Sequence, residues 1–190
     1  MGSKNALAVM DDGDMEIAVA AALGGAFGGT GQKCTASSRL IVHSAVHDEF
    51  VERLAAGAAA MVVDNALKDG TQIGPVVSQT QLDENMAYME LAKSEGGEII
   101  CGGDRVSRYT DGYYMTPAVV AGTGNDWRIN KEEMFAPIAC VIKADSYDEA
   151  LHLVNDTHFG LTSGIVTRDL ARASHFRRNA RTGCVMVNLP

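Results

Sequence analysis

Short apolar runs alternate along this chain with longer stretches in which apolar positions recur at helical spacing. Runs at 6–10, 38–43, 98–101, 138–144, 161–167 and 184–188 predict strands, and 114–120 reads as extended. Helices fall between them. Asp14 is placed to cap one whose residues Ile17, Ala20, Ala21, Leu23 and Gly24 form a small-residue face, and Gly28, Gly29 and Gly31 break it. An alanine-rich helix over 48–61 sets Phe50, Leu54 and Ala58 on one side, and another over 82–94 is closed by Gly96 and Gly97. Ser146 caps a helix to 154 and Asp169 caps one to 178. Residues 64–78 read as loop and 106–113 as a polar turn region. Strands alternating with helices predict an α/β fold of three layers around a mainly parallel sheet, as one domain over 1–190. The chain begins almost inside a strand and stops just after one, as if cut at domain edges.

Composition adds limits rather than an identity. The chain has 190 residues, 46% hydrophobic and 21% charged, which is ordinary globular composition and enough to bury a core without staples. A net charge of −8 makes it a poor generic binder of nucleic acid or anionic lipid. No apolar run is long enough to span a bilayer. The opening MGSKNALAVMDDGDM does not read as a secretory signal, because its apolar run is short and acidic residues follow at once. Cys34, Cys101, Cys140 and Cys184 are far apart and form no C-x-x-C pair. That argues against a zinc site and a secreted disulfide framework, and for a reducing, cytoplasmic setting.

Cys34 is the first candidate for chemistry. It follows a glycine-rich turn, stands next to Lys33, and precedes an apolar run. A thiol near cations or a helix N-terminus gains thiolate character, and glycines let a backbone approach a ligand closely. The competing reading is a buried, inert cysteine. Cys101, Cys140 and Cys184 sit inside apolar runs and read as core. The glycine cluster is no phosphate loop: it lacks the third glycine of the dinucleotide fingerprint and follows a helix rather than a strand. Glu132 and Glu133, with Phe135 beside them, form a second constellation at a strand entry. It reads either as a solvated charge pair or as carboxylates for ribose hydroxyls with an aromatic for a planar ring. His43 and His47 straddle a strand end and a helix start, which favours capping over metal ligation, and no histidine is an evident partner for Cys34.

The ordered motifs resemble those of the NAD(P)-dependent aldehyde dehydrogenases. Gly31-Gln32-Lys33-Cys34-Thr35 resembles their cysteine motif, and Met1-Gly2-Ser3-Lys4-Asn5 the tail of their Glu-Leu-Gly-Gly-Lys motif. The segment Lys131 to Pro137 resembles Glu-Glu-x-Phe-Gly-Pro, with Ala136 for the glycine. Asn155 to Thr162 resembles Asn-x-Thr-x-Tyr-Gly-Leu, and Gly183 to Asn188 the closing strand. The motifs keep the family order and cover the chain.

That resemblance implies a catalytic-domain fold and a mechanism. Cys34 would add to an aldehyde, hydride would pass to NAD or NADP, and water would hydrolyse the resulting thioester. The Cys34 N–H would help hold the oxyanion, Glu133 would bind the nicotinamide ribose, and Phe135 would pack beside the nicotinamide. The family's general-base glutamate would lie just before Met1, with the cofactor-binding domain further upstream and oligomer-supporting segments after Pro190. A small-molecule aldehyde, no metal and a homo-oligomeric complete enzyme are implied. Met-Gly-Ser-Lys-Asn and Val-Asn-Leu-Pro look most like the subgroup acting on 2-oxoglutarate semialdehyde (2,5-dioxopentanoate). The chain alone is expected to lack turnover. A stand-alone thiol esterase would instead turn over p-nitrophenyl acetate, and a non-catalytic domain would show an ordinary Cys34.

Overall fold

Every residue of strand β1 (Asn5–Val9) is buried, and the sheet is built outward from it. A computed structural model describes residues 2–189; Met1 and Pro190, ends of two motifs quoted above, lie outside the described residues. On one side β1 pairs in parallel with β2 (Ser37–His43), which pairs with β7 (Ile138–Ala144) and then β6 (Ala118–Ala121). On the other side β1 pairs in parallel with β8 (Thr162–Val166), which pairs with β9 (Cys184–Val187). One antiparallel neighbour of β6, β3 (Glu98–Cys101), completes the order β3-β6-β7-β2-β1-β8-β9. The mainly parallel α/β sheet expected from the sequence is the one found.

Side-chain alternation gives the sheet two apolar faces and so three layers. Leu7, Val9, Leu40, Val42 and Val141 point to the face covered by α1 (Met15–Phe27) and α2 (His47–Ala59). Ala6, Ala8, Ile41 and Ile165 point to the other, covered by α5 (Tyr147–Asn155) and α6 (Leu170–Asn179). Farther along that second face, Val120 and Cys140 pack with Leu82 and Met89 of α3 (Gln79–Ser94). The caps act as predicted: Asp14, Ser146 and Asp169 each accept backbone N–H bonds in the first turn of α1, α5 and α6. Gly97 N–H closes α3 onto Ala92 O at 2.8 Å.

Four local expectations are corrected. Helix α1 buries Ala18, Ala21, Ala22, Ala26 and Phe27, while Ile17, Ala20 and Gly24 are exposed; the face is turned because Phe27, the bulkiest residue, takes the core. The stretch 114–120 is not one strand. Pro117 has no N–H to give a ladder, so β5 (Tyr114–Met115) pairs with β4 (Arg105–Val106) and β6 starts anew in the main sheet. A short helix, α4 (Arg128–Lys131), forms where none was expected, its first N–H groups held by Glu95. Finally, Cys140 is core, but Cys101 is only half-buried and Cys184 is exposed, because β3 and β9 are the sheet's edges.

Two cations lie inside this apolar frame. Arg39, in mid-β2 and 1% exposed, donates to Lys4 O (3.1 Å), Asn125 Oδ1 (2.8 Å), Leu153 O (2.7 Å) and Val154 O (3.1 Å). It ties the start of β1 to the end of α5, and burial draws its pKa down to about 10. Lys4 is equally buried, and its Nζ makes no hydrogen bond among the described residues. Desolvation lowers its pKa to about 8 against a weaker opposing pull from the neighbouring Cys140.

A lysine depressed in the folded state binds fewer protons than in the unfolded chain, so stability rises with pH from about 8 to 10.5. Lys4→Met is expected to be more stable than wild type at neutral pH by about 1–3 kcal/mol. That advantage should shrink by about 2 kcal/mol by about pH 9.5. Urea unfolding of both proteins at the two pH values checks this. Cys140, pushed up to about 11, weakens both proteins alike above pH 9 and largely cancels in the difference.

Candidate active site

The turn that carries Cys34 is shaped by three successive left-handed residues, Gly29, Thr30 and Gly31 (φ 63°, 61° and 66°). Thr30 is not a glycine, and its hydroxyl donates to Gly74 O at 3.3 Å. Gln32 Oε1 accepts from Val77 N–H at 3.1 Å, a second strut from the same loop. Gly31 is required for a further reason. A Cβ there would stand 2.2 Å from Ala136 O, so this turn and the Glu133–Phe135 loop touch backbone to backbone.

Cys34 itself is exposed at the end of this turn. Its backbone is fixed from below by Asn5, whose Nδ2 donates to Cys34 O and Ala36 O, both at 2.9 Å. Asn5 Oδ1 accepts Thr162 N–H at 3.1 Å. One buried amide thus joins the first residue of β1, the cysteine turn and the start of β8. The β1–β2 register shifts here, between Asn5 and Ala6, so the amide supplies bonds the irregular ladder omits.

Glu133 and Phe135 come to the same place from the opposite side. Ser3, two residues before Asn5, donates its N–H to Glu133 Oε1 at 2.8 Å. Gly2 leaves room for the other carboxylate oxygen, since a Cβ on it would meet Glu133 Oε2 at 2.7 Å. Phe135 has φ +53° and is 38% exposed, a strained backbone that holds the ring out of the core. Gln81 Nε2 pins the intervening Met134 O at 3.2 Å. Ser3, Lys33, Ala36, Glu133 and Phe135 line one small cleft against the turn that carries Cys34. The two constellations read separately from the sequence therefore face each other.

Glu132 does not join them. Arg128 binds it through two nitrogens (2.8 and 3.2 Å), and Tyr88 adds a hydroxyl at 3.3 Å. The Arg128 guanidinium holds its carboxyl below the usual range. Of the two adjacent carboxylates, one is a surface ion pair and one lines the cleft. The histidines stay structural: His47 Nδ1 meets Asp48 at 2.7 Å and His43 Nδ1 accepts Ala45 N–H. No metal-holding group of histidine, cysteine and acid occurs among the described residues, and no helix there is long and apolar enough to cross a membrane.

The sequence reading missed Asn5, Arg39 and Gln81. Arg39 was legible as a charge inside an apolar run. Asn5 and Gln81 carried no such signal, since the bonds by which they brace the site run to residues 29 or more positions away.

This arrangement of a cysteine turn and an acid–aromatic loop on a parallel sheet has known counterparts. The aldehyde dehydrogenase family model matches residues 1–190, and the chain belongs to that family. It is 39% identical to the alpha-ketoglutaric semialdehyde dehydrogenase of Bacillus subtilis (strain 168), over 99% of this chain and 39% of that protein. It is 36% identical to the chloroplastic betaine aldehyde dehydrogenase of Beta vulgaris, over 99% of this chain and 38% of that protein. The crystal structure of the Staphylococcus aureus betaine aldehyde dehydrogenase in complex with NAD+ superposes with a TM-score of 0.97 at 32% identity, covering all of this chain and 38% of that one. The chain thus spans under two-fifths of the length of these relatives.

Asn5→Ala would leave Cys34 O, Ala36 O and Thr162 N–H without partners. It is expected to cost about 2–4 kcal/mol of stability. Chemical denaturation measures that loss, and amide exchange should quicken at Thr162 before the rest of β8.

Proposed function

We propose that this chain is the nucleophile-bearing catalytic domain of an aldehyde dehydrogenase that oxidises an aldehyde to a carboxylic acid with NAD(P)+. The observation that carries the reading is the meeting of the exposed Cys34 turn with Glu133 and Phe135 across one cleft.

The residues present fit a nicotinamide cofactor. Glu133 is anchored through Oε1 only, which leaves Oε2 as an acceptor for ribose hydroxyls. The exposed Phe135 ring offers a face to a planar group. When bound, the nicotinamide would supply the hydride acceptor that turns the cysteine adduct into a thioester. The chain's own residues do the rest. Cys34 sulfur forms a bond to the aldehyde carbon, and the carbonyl oxygen gathers negative charge as its π bond breaks. The Cys34 N–H, on a backbone fixed by Asn5, is the donor available to that oxygen. Water then cleaves the thioester, releasing the acid and the thiol.

The last step needs a base, and Glu133 is the only carboxylate in the cleft that borders the turn. With Glu133 committed to Ser3, this chain alone would be acylated by an activated ester, the alkoxide leaving as the C–S bond forms, and would then stall. The remaining three-fifths of the relatives' length would bring the base, the cofactor domain and contacts for a homo-oligomer. Similarity to an alpha-ketoglutaric semialdehyde dehydrogenase favours 2-oxoglutarate semialdehyde as substrate, while betaine aldehyde relatives make a quaternary ammonium aldehyde the rival.

With p-nitrophenyl acetate the 190-residue chain should release about one equivalent of nitrophenol and then slow by roughly 10²–10⁴-fold relative to an enzyme with its base. Cys34→Ala should abolish the burst. Sustained esterase turnover, or NAD-dependent oxidation by the chain alone, would show that the missing-base reading is wrong.

A further inference from the structure

A second cleft, of about 280 Å³, opens on the other side of the Cys34 turn. It runs between the C-terminal end of α1 (Gly24, Gly25), the turn itself, and the β8–β9 pair with Met186 and Leu189. Its lining contains one charged side chain, Lys33. Hydroxyls from Thr35, Ser37 and Thr162 share the wall, and none of the three makes a side-chain hydrogen bond among the described residues. Lys33 and Thr35, both in the lining, flank Cys34 in sequence, so the cleft borders the turn that carries the cysteine.

Lys33 is exposed and enters no ion pair or side-chain hydrogen bond among the described residues. Its placement follows from the glycines. The stem lies across Gly29, and a Cβ on Gly28 would stand 3.3 Å from Nζ. The ammonium therefore sits at the C-terminal end of α1, whose last turn carries no basic residue of its own. Helix carbonyls there favour a cation. Glu133 lines the neighbouring cleft but is held by Ser3. On a chain of net charge −8, a lysine with no ion-pair partner among the described residues, lining a cleft with hydroxyl side chains and no carboxylate, is a local exception.

We propose that Lys33 and the hydroxyl-lined cleft bind the carboxylate of the substrate, so that the aldehydes taken are short oxo-acids rather than neutral or cationic aldehydes. This rests on Cys34 being the nucleophile. Lys33 would anchor the carboxylate end while the aldehyde end meets the thiol. A quaternary ammonium aldehyde would meet a like charge in the same place.

The test uses the 190-residue chain and two alkylating reagents that differ in charge. In each, the Cys34 thiolate displaces iodide, a C–S bond forming as the C–I bond breaks. Rate constants at Cys34 for iodoacetate and iodoacetamide, read by peptide mass spectrometry, are expressed as a ratio and divided by the same ratio for N-acetylcysteine amide. Any effect of Lys33 on thiol ionisation is common to both reagents and cancels. The normalised ratio is expected to exceed one by about 3- to 10-fold at low ionic strength and to decline with salt. Lys33→Arg should keep the excess, Lys33→Gln should abolish it, and Lys33→Glu should drive the ratio below one. Lys33 is on the surface, so these variants are expected to fold, which far-ultraviolet circular dichroism verifies. A ratio near one in wild type, or one unmoved in Lys33→Gln, would overturn the anion anchor and leave Lys33 as a helix-end partner. Failure of both reagents to modify Cys34 would instead overturn the nucleophile reading, and this inference with it.

Discussion

The side-chain amide of Asn5 is the joint on which the site depends. It is buried at the first position of a fully buried strand, and its three hydrogen bonds reach Cys34 O, Ala36 O and Thr162 N. Buried amides are costly unless paired, and this one is paired only when β1, the cysteine turn and β8 are all in place. The cysteine turn is thus positioned by the sheet rather than by its own loop. Ser3 does the same for Glu133 two residues earlier, so four consecutive positions leading into β1, from Gly2 to Asn5, register both halves of the candidate site.

Those four positions include the two buried cations' meeting point. Arg39 takes Lys4 O, and through Asn125 and the α5 carbonyls it fastens the same segment to the opposite layer. Its cost of burial is met by four acceptors. Lys4 has no such compensation at Nζ, and a depressed pKa is the physical sign of it. A strained Phe135, a left-handed Thr30 and an unpartnered Lys4 all cluster within one region. Strain and unsatisfied charge persist where surrounding structure over-determines them, and such concentration is characteristic of functional sites.

Lys33 gives the site a second character. The small cleft toward Glu133 and Phe135 and the larger one toward Thr162 and Met186 share two residues, Lys33 and Ser37, of which Lys33 alone is charged. In the proposed reading the first would take a cofactor's sugar and ring and the second an anion. The same glycines that bend the turn also clear the path for the lysine stem, so backbone geometry and charge placement come from one stretch of chain.

Most of the layer structure was readable because strand and helix periodicities are local properties. Residues 138–144 form a nearly unbroken apolar run because both faces of a parallel sheet are covered, and all but Lys143 are buried; Asp14, Ser146 and Asp169 cap helices within three residues of themselves. Motif order likewise pointed to Cys34, Glu133 and Phe135 without coordinates. Motif order apart, residue type and spacing could not decide what distant partners set: which of two adjacent carboxylates faces the cleft, which face Phe27 turns inward on α1, and that Cys184 lies on an open edge. Glu132 and Glu133 are alike in type and neighbours in chain, and only the positions of Arg128 and Ser3 in space separate a surface ion pair from a cleft carboxylate. Local chemistry is written in the chain; the pairing of groups that lie a hundred residues apart exists only once the sheet has closed.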